Sequence, residues 1–73
     1  MRLDEALRRF RDRVDLVDRR QLAASVLGRS TAWVFAHGDR ELEKDEADRL
    51  QELFERRAAG EPFHYLIGER EFY

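Results

Sequence analysis

Arg56-Arg57-Ala58-Ala59-Gly60-Glu61-Pro62-Phe63-His64-Tyr65-Leu66-Ile67-Gly68-Glu69-Arg70-Glu71-Phe72-Tyr73 closes the chain, and its punctuation decides the fold. Gly60 allows a preceding helix to stop in a left-handed turn, where a side chain would be strained. Glu61 stands at a capping position. Pro62 falls at the first helical position, where its φ is already set for a helix and its missing N–H has no bond to lose. A fifth, very short helix is therefore expected over residues 62–67, stopped by Gly68, with residues 69–73 released in an extended form. Helix ends this close together exclude long parallel rods.

Working back along the chain, the fourth helix is the longest, running from about Lys44 to Ala59 with Ala47, Leu50, Phe54 and either the stem of Arg57 or Ala58 facing inward. Asp45 and Glu46 fill its first turn and Arg56 and Arg57 its last, the polarity that the helix dipole favours. The linker Asp39-Arg40-Glu41 reads as polar. Before it, Ser30 or Thr31 caps a short third helix over residues 32–37, closed by Gly38. Asp15 or Asp18 caps a second helix through Leu22, Ala23, Val26 and Leu27, ended by Gly28. In the first helix Leu3, Ala6, Leu7, Phe10 and Val14 recur at helical spacing opposite a charged face. The expected fold is all-α: a compact orthogonal bundle of about five short helices with a short extended C-terminal tail.

The chain has 73 residues, enough for one modest core but not for a second layer that would enclose a cofactor. Cysteine is absent, which removes disulfides, thiolate metal sites and thiol catalysis. No apolar run approaches a membrane span, and the N-terminus lacks the apolar core of a signal peptide, so a soluble cytoplasmic protein is expected. Net charge is only −2. The bases are arginines except for Lys44, and most are answered by nearby carboxylates, so direct nucleic-acid binding is not expected.

Arg57-x-x-Gly60-x-Pro62-x-x-Tyr65-Leu66-x-Gly68-x-x-x-Phe72 resembles the signature that closes the N-terminal domain of the HemK/PrmC family, whose members methylate a release-factor glutamine. A weaker upstream likeness, Val26-Leu27-Gly28-Arg29-Ser30-Thr31-Ala32-Trp33, is similar to the family's passage from helix end to helix restart. The resemblance implies that residues 1–68 are the helical, substrate-recognition domain. Residues 69–73 would begin the linker to a catalytic methyltransferase domain outside this sequence. It further implies that the fragment is no enzyme alone and holds no cofactor. In the parent, S-adenosylmethionine would methylate the glutamine of the Gly-Gly-Gln loop in class-I peptide-chain release factors. The implied partners are the release factor and the parent's catalytic domain, with the fragment a monomer. The chain ends at Tyr73, where the family's sequences continue, and a separate domain of a longer protein is expected. The sequence departs from the family at Arg19-Arg20-Gln21-Leu22-Ala23, which carries fewer large apolar groups, and at Glu43, where a Ser, Thr or Asp cap is usual.

Arg57, Gly60, Pro62, Tyr65, Leu66, Gly68 and Phe72 thus carry the family signature, mainly as structure. Arg56, Arg57 and Tyr65 are the candidate partner contacts, each with a plainer reading. Tyr65 reads first as packing at the corner between the fourth and fifth helices, and otherwise as an amphipathic contact with a protein. Arg56 and Arg57 either meet an acidic partner surface or answer the helix dipole and Glu52. A metal site or an acid–base pair built on His37 and His64 is not expected, because they lie in different elements without a carboxylate array. Trp33 reads first as a core plug and otherwise as an exposed anchor for a partner, and the carboxylates of the fourth helix read as a solvated face.

Overall fold

A computed structural model describes residues 1–66 of the chain. Four helices follow one another, α1 (Leu3–Arg9), α2 (Leu16–Leu27), α3 (Thr31–Ala36) and α4 (Lys44–Ala58), and residues 63–66 form a further helical turn. The expected stop at Gly68, the extended tail and Phe72 lie outside the described residues. Within them the all-α expectation holds: no strand occurs, only an isolated antiparallel bridge between Arg2 and Glu41.

The first helix stops sooner than its apolar spacing predicts. Phe10 caps α1, and the chain continues to Val14 through tight turns in which the Phe10 carbonyl accepts the N–H groups of Arg13 and Val14. Phe10 and Val14 are nonetheless buried, because turns of this pitch keep both on the inner side. The cause of the early stop lies in α2. Arg19 is buried, only 8% exposed, and its guanidinium donates to the carbonyls of Leu7 at 2.6 Å and Val14 at 2.9 Å. Carbonyls at a helix end have no partner within the helix, and a cation placed there satisfies them while meeting the negative end of the dipole.

The remaining boundaries follow local chemistry. α2 starts after Asp15 and ends at Gly28, whose N–H reaches the Ala24 carbonyl. For α3 the cap is Ser30, whose hydroxyl accepts the Trp33 N–H at 3.1 Å. Glu43 caps α4 without being a usual cap, and Glu46 compensates by accepting the Glu43 N–H at 3.0 Å, the reciprocal half of a capping box.

The core gathers side chains from every helix and from the end of α1: Leu3, Ala6 and Phe10; Leu22, Ala23 and Ala24; Val34; Leu50, Leu53 and Phe54; and Leu66 from the last turn. Phe10 and Phe54 meet edge to face at 5.2 Å. Val26 and Leu27, expected inside, are only partly buried, and Ala24 takes the inner position. Leu42, the residue after the polar linker Asp39-Arg40-Glu41, joins the core. The linker is held there by backbone bonds to the start of the chain: Leu3 N–H to the Arg40 carbonyl, Leu42 N–H to the Met1 carbonyl and Asp4 N–H to the Gly38 carbonyl, each 2.8 Å. Gly38 makes this approach possible, since a Cβ there would sit 3.1 Å from that of Asp4. α2 packs against both α3 and α4 and forms the middle of the bundle.

Candidate interaction surface

Arg56 and Arg57 leave the last turn of α4 in different directions. Arg57 crosses to α2, its Nε 3.0 Å from the Asp18 carboxylate, while its Nη1 donates to the Glu61 carbonyl at 3.0 Å. Arg57 is thereby occupied in holding α4, α2 and the following turn together. Arg56 grips the Glu61 carboxylate, with Nη2 at 2.9 Å, and stands 3.9 Å from Glu52. The Glu61 carboxylate is therefore directed to Arg56 and not to a cap of the next turn.

Gly60, with φ of +104°, turns the chain back after α4. The Pro62 carbonyl then accepts the Tyr65 and Leu66 N–H groups and closes the helical turn. Phe63 and Leu66, three positions apart, share the inner face, Leu66 fully buried and Phe63 partly so. Tyr65 falls on the outer face and is 59% exposed, which corrects its reading as corner packing: Phe63 and Leu66 fill the corner instead. The Arg56 guanidinium lies 5.8 Å from the Tyr65 ring centre, so the two candidate contact residues form one surface pair.

A second surface lies between α2 and α3. Val17, Arg20, Gln21, Thr31, Ala32 and Phe35 line a groove of about 350 Å³. Phe35 is 70% exposed and Val17 59%. The Arg20 guanidinium lies over the Phe35 ring, 4.8 Å from its centre. These residues were not among the sequence candidates, although a signal existed. Trp33, Val34 and Phe35 are consecutive in a helix of six residues, and three adjacent apolar side chains cannot share one helix face. Val34 takes the core, and Trp33 is half-buried and not the plug expected of it. Trp33 stacks on His37 with ring centres 4.1 Å apart, and Arg29 lies 5.0 Å from its ring centre. His37 caps α3, with Nδ1 2.9 Å from the Trp33 carbonyl.

The exposed side of α4 carries Lys44, whose pKa is raised by its hydrogen bond to Asp48 and that carboxylate's charge. Among the described residues no group of His, Asp and Glu side chains is arranged to hold a metal ion, and no helix is long and apolar enough to cross a membrane. The exposed rings of Phe35 and Tyr65 each lie beside an arginine guanidinium, Arg20 and Arg56 respectively.

Comparison with known proteins agrees with the architecture. The family model described as the PrmC N-terminal domain matches residues 2–68. The release factor glutamine methyltransferase of Bordetella pertussis is 46% identical over 56 residues, covering 77% of this chain and 21% of that protein. The protein of the same name from Xylella fastidiosa is 40% identical over 62 residues, 85% of this chain and 22% of the relative. That from Agrobacterium fabrum is 41% identical over 58 residues, 80% and 20% respectively. The chain thus spans about one fifth of the length of these curated relatives. No solved structure matches it.

Proposed function

The chain belongs to the family of PrmC N-terminal domains, and from that membership we propose that it is a non-catalytic module that docks class-I peptide-chain release factors. The reaction itself, transfer of a methyl group from S-adenosylmethionine to the glutamine amide of the Gly-Gly-Gln loop, is assigned to a catalytic domain outside this sequence. An amide nitrogen is a poor nucleophile, so the rate of such a transfer depends on holding it in line with the methyl group. A domain that grips the protein substrate away from the reacting atoms contributes by orientation.

The observation that carries this reading is the match over residues 2–68, which runs through the whole helical fold. Phe35 and Tyr65 add to it, as large aromatic side chains exposed on a small, highly charged domain, the composition favoured at protein contacts. The described residues do not suit the cofactor: their glycines stand singly at turns, and no glycine-rich loop follows a strand.

Two measurements test the reading. The 73-residue chain is titrated against a class-I release factor, where saturable binding is expected. The parent enzyme is also assayed without the domain, where a raised KM for the release factor with kcat largely kept is expected. No binding, combined with an unchanged KM, removes the docking role. A lower melting temperature of the shortened enzyme with its KM intact would instead assign the domain to stabilising its neighbour.

A further inference from the structure

We infer that the α2–α3 groove is the docking site, and that its occupant is a segment of the release factor presenting a large apolar side chain beside a carboxylate. The inference rests on the docking reading and goes further by choosing the surface and the chemistry of what it receives.

The groove offers two features side by side. One is apolar area at Phe35 and Val17, which water covers in the free chain. The other is a cation with no counter-charge. Arg20 stands at the Phe35 ring, and among the described residues no carboxylate pairs with it. Its own helix cannot supply one, because the positions three and four residues away are Leu16, Val17, Ala23 and Ala24. The rest of the lining is also free of acids. The single acid of α2, Asp18, is held by Arg57 at 3.0 Å. In a chain whose net charge is −2, the α2–α3 unit therefore has a partly buried Arg20 and an exposed Arg29, neither with a carboxylate partner among the described residues. Charge complementarity calls for an acid on the occupant, and the exposed ring calls for an apolar neighbour to that acid. An aromatic ring with an arginine already stacked on it is also a pre-ordered contact, with less side-chain freedom to lose on binding.

The same features disfavour other occupants. A second copy seated symmetrically would bring two Arg20 guanidinium groups together at an axis with no acid in the lining. A nucleic-acid backbone is bound by several clustered cations, whereas this groove has one cation among apolar groups.

The test is a titration of the 73-residue chain against a class-I release factor at low and moderate salt. The wild-type chain is compared with Phe35→Ala, Arg20→Glu and, at the other exposed aromatic, Tyr65→Ala. Phe35→Ala is expected to weaken binding roughly tenfold or more. Arg20→Glu should weaken it at low salt and flatten its salt dependence. Circular dichroism is expected to show unchanged helix content in both, and because they alter different side chains, a misfolded Phe35→Ala leaves Arg20→Glu as the decisive variant. Wild-type binding that only Tyr65→Ala weakens would overturn the groove assignment while leaving the docking reading intact. Absence of wild-type binding would overturn both. Self-association or RNA binding that is lost in the two groove variants, with release-factor binding unaltered, would give the groove to another occupant and overturn the inference.

Discussion

Arg19 on α2 donates to the carbonyl of Leu7 on α1 at 2.6 Å, across a separation of 12 residues, and its Nε also takes the Val14 carbonyl at 2.9 Å. One buried guanidinium thus ends the first helix and fixes the turn that leads to the second. Arg19→Ala leaves two carbonyls without this donor and empties the volume of a long side chain. The expected loss is about 2–3 kcal/mol in urea denaturation. Arg19→Lys, a point cation that cannot span both carbonyls, is expected to recover only part of it.

Leu53 is fully buried at the junction of α4 with the rest of the core. Leu53→Ala is expected to cost about 2–5 kcal/mol. A domain of this length has only about 4–11 kcal/mol of stability in all. Thermal unfolding followed by circular dichroism should therefore show a melting temperature lowered by at least about 8 °C, at about 4–8 °C per kcal/mol.

Gly60 and Gly38 are required for different reasons, and alanine substitution separates them. A Cβ at Gly60 meets open space, so Gly60→Ala bears only the strain of φ at +104° and is expected to cost about 1–2 kcal/mol. At Gly38 the added carbon presses on Asp4, so the loss should shrink when Asp4 is also replaced by Gly, a coupling that Gly60→Ala lacks. Melting temperatures of the single and paired variants check both.

The Arg57–Asp18 pair, 3.0 Å apart and partly shielded, joins α4 to α2. A double-mutant cycle with Arg57→Ala and Asp18→Ala is expected to give a coupling of about 0.5–1 kcal/mol that shrinks with added salt. A coupling of zero at low salt would mean that the Glu61 carbonyl alone accounts for the role of Arg57.

The helices and their ends were legible wherever a single residue decides them: Gly28, Ser30 and Gly60 each act through their own backbone or a neighbour's, while Pro62 precedes the last turn by one residue instead of opening it. Three features were not legible because they depend on residues far along the chain. Arg19 looked like a departure from an apolar pattern, since a buried arginine makes sense only once the Leu7 carbonyl is known to be beside it. Leu42 stands alone between charged residues, and its inward turn is set by backbone bonds joining residues 40–42 to Met1 and Leu3. The sequence leaves Tyr65 between packing and an exposed contact because a single helical turn has too few residues to show a period, and the choice among Phe63, Tyr65 and Leu66 is made by the surface they pack on. The groove at Phe35 stayed hidden for a related reason: an apolar triplet in a one-turn helix says that something must face outward, but not which residue.

The backbone pairing of residues 38–42 with Met1, Leu3 and Asp4 makes the start of the chain wait for a segment synthesised much later. Leu3 leaves the ribosome long before Arg40, so the first helix is made first and must wait for the carbonyls that anchor it. α2 and α3 are neighbours in sequence and can meet as soon as both have emerged, with little loop entropy to overcome. The start of the first helix is therefore anchored only after residues 38–42 have been made, whereas α2, which carries the proposed docking face, has its α3 neighbour sooner.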